Sequence, residues 1–394
     1  MTTQKTLLKD AYKKISCDFN RIVIKVGSSV LTNDIGINVE RILHLAQEIS
    51  KILKTGKKVV LISSGAVAYG FKKIGFSARP KDMAKLQAAA AIGQPGLMNV
   101  YEDAFSAYGY ITAQVLLTAS DVYQRRQYLN ATTTLKTLLD WNVLPIVNEN
   151  DTIATDELKF GDNDTLGSLV ASMIEADLFI NLSDIDGLYT ADPRTTADAK
   201  QICLVEAITP NLFKIAGKAG QIGSGGMFTK ITAAQRLSRV GISSIIASGQ
   251  QDGTLSSIFN GIPTGTLFLA KKAEIPQRKS WIAFTHHAQG KIIIDEGATD
   301  ALLNRGKSLL PSGVCDVVGH FAKDDAICVE DTNGQTIAIG LTNYNDEDLR
   351  IIMGHNSKDI QKLLKTNGET EVIHRDNMVL ADPTLQTAKQ GEIL

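Results

Sequence analysis

Arg21-Ile22-Val23-Ile24-Lys25-Val26 is an apolar, β-branched run that closes on Gly27-Ser28-Ser29. A short run of this kind, bounded by small turn residues, reads as a buried strand. Beyond it, Val39 to Leu53 places Ile42, Leu45, Ala46, Ile49, Ile52 and Leu53 at helical spacing. Lys58-Val59-Val60-Leu61-Ile62 is the next strand, and it closes on Ser63-Ser64-Gly65-Ala66. The Ala-rich stretch 83–108 is helical in pattern, with a break predicted at Gly93-Gln94-Pro95-Gly96. Further strands are expected at 111–117, 143–147, 178–182 and 244–247. Strands that alternate with longer helices predict an α/β fold: a mainly parallel sheet sandwiched by helices.

The pattern changes near 270. Residues 271–280 are charged, contain Pro276 and read as a linker. Short β-like runs follow at 292–294, 314–318, 326–329 and 336–339, the last after the hairpin signal Asn333-Gly334. The expected division is residues 15–270, a linker at 271–280, and a small β-rich domain with a C-terminal tail at 281–394.

At 394 residues, 44% hydrophobic and 21% charged, the chain has the composition of a globular protein of two or three domains. Its formal net charge is -1. Residues 1–280 hold 31 Lys+Arg against 25 Asp+Glu, while 281–394 hold 10 against 17. A mildly basic body suits an anionic small substrate, and the acidic second part argues against RNA as a partner. Cys17, Cys203, Cys315 and Cys328 form no C-x-x-C pair, and the six histidines lack zinc-ligand spacing. No run approaches the ~18 apolar residues of a membrane span, so a reducing cytoplasm is the expected location.

Chemistry is concentrated where the expected strands end. Asn148-Glu149-Asn150-Asp151 follows the run 143–147, and Gly161-Asp162-Asn163-Asp164 precedes the helical run 166–174. One of Asp162, Asn163 and Asp164 is enough to cap that helix, which leaves two for other work. Polar clusters at the carboxyl ends of buried strands are how open α/β sheets build ligand sites. Lys25 can be an edge lysine, or a cation placed beside a glycine turn to meet phosphate oxygens. Ser183-Asp184 closes another strand, ahead of Gly187-Leu188-Tyr189-Thr190-Ala191-Asp192-Pro193-Arg194. Five glycines cluster between 217 and 226, just before a helical pattern that carries Lys230 near its start. Glycines ahead of a helix can present backbone N–H groups to a phosphate, although a surface loop would also use them. The P-loop pattern itself is absent from this segment.

Together these motifs, with Lys25-Val26-Gly27-Ser28-Ser29, Ser63-Ser64-Gly65-Ala66 and Gly225-Gly226-Met227-Phe228-Thr229-Lys230, resemble the amino acid kinase superfamily, and within it the glutamate 5-kinase family, over roughly residues 20–270. Asp295-Glu296-Gly297-Ala298-Thr299 and Leu309-Leu310-Pro311-Ser312-Gly313 resemble the PUA domain appended to many of its bacterial members. The resemblance implies transfer of phosphate from ATP, with Mg2+, to the side-chain carboxylate of L-glutamate, the first step of proline biosynthesis. It implies Lys25, Lys230 and Asp164 as catalytic residues, and Ser64, Asp151 and Asn163 as the glutamate site. It implies ATP binding by Lys25, Ser183, Asp184, Ser224, Gly225, Gly226, Met227, Phe228, Thr229 and Lys230, with no protein side chain assigned to the metal. Free proline is the feedback inhibitor it implies, glutamyl phosphate reductase the pathway partner, and a homo-oligomer the expected assembly. Two alternatives are a sibling kinase acting on another carboxylate substrate, and an RNA-binding or RNA-modifying PUA protein.

Overall fold

The computed structural model describes residues 2–33, 36–154, 163–216, 226–270, 273, 275–276, 279, 281–282, 288–365 and 369–381. It forms two compact units, residues 1–122 with 127–274, and 123–126 with 275–394.

The first unit is built on an eight-stranded sheet. Its strands are β1 (Arg21–Val26), β2 (Lys58–Ile62), β3 (Thr112–Leu117), β4 (Leu144–Glu149), β5 (Leu178–Ser183), β6 (Leu204–Val205), β7 (Ser243–Ser248) and β8 (Thr266–Phe268). They lie in the order β6-β8-β7-β5-β1-β2-β4-β3. All neighbours are parallel except β7 and β8. The central strands β1, β2 and β5 are buried along nearly their whole length, as continuous apolar runs in a parallel sheet require. From β1 the chain builds outward through β2 to β4 and β3, then returns to the other side of β1 with β5. The strand order therefore reverses between β1 and β5, and that crevice is where such sheets bind ligands.

Alternation along β1 divides the helices between two faces. Ile22, Ile24 and Val26 join a core with α1 (Thr2–Asp18), α2 (Val39–Lys54) and α4 (Met83–Ser106), to which Tyr12, Ile49, Tyr101 and Phe105 contribute. The helix α1 lies ahead of the first strand, and its Tyr12 and Ile15 are fully inside this core. On the opposite face lie α5 (Asn163–Met173) and α6 (Met227–Arg239). A Cβ on Gly167 of α5 would sit 2.7 Å from the Phe179 ring, so only glycine lets α5 approach β5 this closely.

One element differs from the sequence expectation. The predicted break at 93–96 is absent, and α4 runs unbroken from Met83 to Ser106 with Pro95 inside it. Its glycines serve packing instead. A Cβ on Gly93 would lie 1.8 Å from the Ala66 carbonyl oxygen of α3 (Ala66–Lys73), and one on Gly70 of α3 would lie 1.7 Å from the Ala89 oxygen. The two backbones touch where side chains would otherwise stand.

The second unit is a five-stranded sheet in the order β10-β9-β11-β12-β13. Its strands are β9 (Gly290–Ile294), β10 (Val314–Gly319), β11 (Ala326–Asp331), β12 (Thr336–Leu341) and β13 (Met378–Leu380). The β9–β11 pair is parallel and the others antiparallel. Asn333-Gly334 makes the expected turn between β11 and β12: Gly334 has φ +79°, and the Asp331 carboxylate accepts from the backbone of Asn333 and Gln335. Two short helices, α7 (Glu296–Leu303) and α8 (Asp346–Ile352), place Leu302, Leu349 and Ile352 in this unit's own core. Among the described residues, no helix is long and apolar enough to cross a membrane.

Candidate active site

The candidate site lies at the carboxyl ends of β1, β2, β4 and β5: Lys25 and Asn181 leave the sheet on the α5 and α6 face, while Ser63 and Asn148 meet Tyr101 and Gln94 of α4 on the other. Asn163 and Asp164 open α5. Each side chain reaches across to the sheet.

Asp164 is fully buried and is the hub. Its Oδ1 lies 2.6 Å from Lys25 Nζ, and its Oδ2 lies 3.1 Å from Lys230 Nζ. The lysine side chains are only 6% and 4% exposed. Asn181 Nδ2 donates to Oδ1 at 2.7 Å, and Thr229 Oγ1 donates to Oδ2 at 2.8 Å. Burial by itself drives a carboxyl group toward its neutral form. Here the Lys25 and Lys230 charges, with hydrogen bonds from Lys25 and Thr229, outweigh it and hold Asp164 well below the usual carboxylate range. Among the described residues, one carboxylate stands between two ammonium groups, a local excess of positive charge that is nearly sealed from water. That charge attracts an anion, and it is strong because little water screens it.

Each partner arrives for a local reason. Lys25 lies one residue short of the end of β1, on the face opposite Ile24. Gly27 follows, and its N–H donates to the Leu182 carbonyl at 3.0 Å, which ties the end of β1 to β5. Lys230 lies in the first turn of α6, whose N-cap is Gly226 in extended conformation.

A second network lies alongside. Asn163 Nδ2 is 2.7 Å from both the Ser63 carbonyl and Ser64 Oγ, and 3.2 Å from Asn148 Oδ1. Asn148 Nδ2 donates to Gln94 Oε1 at 3.0 Å. Ser63 Oγ is 3.0 Å from the Tyr101 hydroxyl, whose pKa burial pushes far up. Gly65 follows with φ +101°, a turn that suits glycine at the start of α3. Ser64 and Asn163 are thus brought together by the structure. Asp151 is half-buried in the turn after β4.

Among the residues expected to bind ATP, Ser183 ends β5 and donates to the Asp184 carboxylate at 2.9 Å. Gly226, Met227, Phe228, Thr229 and Lys230 begin α6, where Phe228 packs edge-on against Phe213 with ring centres 5.4 Å apart. Asp162, Ser224 and Gly225 lie outside the described residues. Asn181 and Gln94 joined the site without having been singled out, and Asn148 had been marked only as part of its motif. Asn181 had a signal, since it is an amide inside the apolar run 178–182. Gln94 had none, because it sits in a segment that reads as a helix break.

The amino acid kinase family model matches residues 20–248, and the PUA domain model matches 290–364. Curated relatives match almost end to end. The glutamate 5-kinase of Thermoanaerobacter sp. (strain X514) is 48% identical over 92% of this chain and 98% of its own. The chain belongs to the glutamate 5-kinase family. The family's members from Cupriavidus metallidurans, 49% identical over 91% of this chain, and Ralstonia nicotianae, 46% identical over 94%, span 97% and 100% of their own lengths. The chain is a kinase.

Proposed function

We propose that the chain transfers the γ-phosphoryl group of ATP to the side-chain carboxylate of L-glutamate, in the first step of proline biosynthesis, at the Lys25–Asp164–Lys230 cluster. The observation that carries this reading is the Asp164 carboxylate held at 2.6 Å and 3.1 Å by two buried lysines where the strand order reverses. A glutamate carboxylate has a pKa of ~4.3 and is already ionised at neutral pH, so no general base is needed. The barrier is repulsion between an anionic nucleophile and an anionic triphosphate. Catalysis then rests on positioning and on charge stabilisation of the moving group. Lys25, from the sheet, and Lys230, from α6, would meet the transferring phosphoryl group from two sides. Asp164 would hold both ammonium groups in place and would not move a proton.

Asn163 and Ser64 would bind the substrate's carboxylates, and Asp151 its α-ammonium group. Ser183, Asp184 and the start of α6 would hold the nucleotide. Mg2+ neutralises phosphate charge when it is bound. The described residues include no cluster of three His, Cys, Asp or Glu that could hold it, and the Asp164 oxygens already accept four donors. The ion would therefore ride on the nucleotide phosphates and its own water. Proline, which shares the α-carboxylate, would compete at the glutamate pocket.

A coupled ADP-release assay across glutamate, N-acetylglutamate and aspartate tests the substrate. Glutamate should be turned over at least an order of magnitude better in kcat/KM than the other two. A preference for either competitor would overturn the assignment.

A further inference from the structure

We propose that Asn181 is a positioning residue for phosphoryl transfer, locking the Asp164 carboxylate in the rotation that holds both lysines. The proposal rests on the reading of the Lys25–Asp164–Lys230 cluster given above. Asn181 stands in β5 in register with Lys25 of β1, so both side chains leave the sheet on one face. Its amide donates to Asp164 Oδ1, the oxygen that also holds Lys25. Thr229 and Lys230 take Oδ2. A carboxylate offers about four acceptor positions, and these four donors occupy them. The last torsion of an aspartate is otherwise broad and loosely restrained. Without the Asn181 amide, Oδ1 would keep Lys25 but lose its second donor, and the carboxylate plane that sets the ammonium position would be less firmly held.

The amide bonds a buried charge at the expense of its own carbonyl. Asn181 is 1% exposed, and its Oδ1 is buried with no hydrogen-bond partner. A buried orphan carbonyl is destabilising, and an apolar side chain of similar shape removes the penalty. The neighbours Ile180 and Leu182 are the residues that burial alone favours. Position 181 therefore carries a group whose favourable contact is made at the Asp164 carboxylate, while its carbonyl is left unpaired in the core. A neutral amide also orders Asp164 without competing with it for the lysines, which a second carboxylate would do.

Asn181→Leu is the direct test, because leucine is close in volume and cannot donate. Its kcat should fall roughly tenfold, the scale of a lost hydrogen bond to a charged group. The KM values for glutamate and ATP should stay within about twofold, since neither substrate touches the amide. The melting temperature should change by only a few degrees, because the lost bond to Asp164 is offset by removal of the orphan carbonyl. An unchanged kcat would overturn the proposal, and so would raised KM values with a lowered melting temperature. Asn181→Asp supplies a second readout. An acid placed there faces the Asp164 carboxylate and the Lys25 and Lys230 ammonium groups, and when ionised it cannot donate and competes with Asp164 for Lys25. At neutral pH and above, the kcat of this variant should fall at least as far as that of Asn181→Leu, and a kcat equal to that of the unaltered protein contradicts the proposal. Lys230→Ala separates the two levels of the argument. If it keeps a normal kcat, the reading of the cluster fails and this proposal with it. If it collapses while Asn181→Leu is normal, only the role of Asn181 is lost.

Discussion

Asp164 in the first unit and Asp346 in the second are both carboxylates caught between two basic side chains, and they do different jobs. Asp346, in the first turn of α8, accepts from Arg350 at 2.6 Å and lies 3.1 Å from His320. Arg350 hydrogen bonds, which the Phe321 N–H and His320 assist, hold its carboxyl below the ordinary range. The same guanidinium also donates to the carbonyls of Val317 and Gly319. Its donors close on the domain itself, and the result is a clamp between α8 and β10. Lys25 and Lys230 converge instead at the open ends of strands, and their side chains are nearly sealed from water. An ion pair is a poor guide to function by its count alone. Burial, and the direction in which the cations point, separate the clamp from the site.

The largest expected effect breaks the buried side of this comparison. Asp164→Asn leaves two buried ammonium groups without a counter-charge. It should destabilise the first unit by about 3–5 kcal/mol and abolish most of kcat. Denaturant unfolding and steady-state kinetics check both, and a stable, active variant would make Asp164 another clamp. Asp151→Asn should come next. It should raise the glutamate KM several-fold with little change in kcat, because a neutral amide pairs less well with an α-ammonium group. A change in the ATP KM alone would move this residue to the other substrate.

Asp346→Asn should lower the melting temperature of the second unit and leave kcat untouched. The acid limb of stability sharpens the contrast. A carboxyl whose folded pKa is depressed stabilises the fold above its unfolded value of ~3.9 and loses that contribution as pH falls further. The melting temperature should therefore show no change from Asp164 and Asp346 between pH 7 and 5, then fall below about pH 4. Asp346→Asn should make that fall shallower; an unaltered acid limb would remove Asp346 from it. The smallest expected effect is on chemistry. A chain ending at Ala270 should keep its kcat within a few-fold, since every residue assigned to catalysis lies at or before Lys230. A folded but inactive truncation would show that the second unit contributes to the site.

Much of this was legible from residue order. The apolar strands and the polar clusters at their ends are local features, and Lys25, Asp164 and Lys230 stand at motif positions that the resemblance marks. What was hidden depends on partners distant in sequence. Gly93 read as part of a helix break and Gly70 drew no reading at all, because only the approach of α3 to α4 shows that they are contact surfaces. Asn181 became meaningful when β5 paired with β1 and brought Lys25 and Asp164 beside it. The β-like runs of the second unit fade near 355, yet β13 adds a strand at Met378–Leu380, too short to show a period of its own. In α1, the core contacts of Tyr12 and Ile15 are likewise tertiary.

The central claim is that two lysines held by Asp164 act on the transferring phosphoryl group. Steady-state kinetics of Lys230→Ala, with glutamate and ATP varied in turn, test it most directly. The account predicts a kcat lowered by roughly 10²–10³ with the glutamate KM changed only a few-fold, as for the loss of a charge that acts mainly in the transition state. A near-normal kcat with a raised glutamate KM would contradict it and make Lys230 a substrate-binding residue.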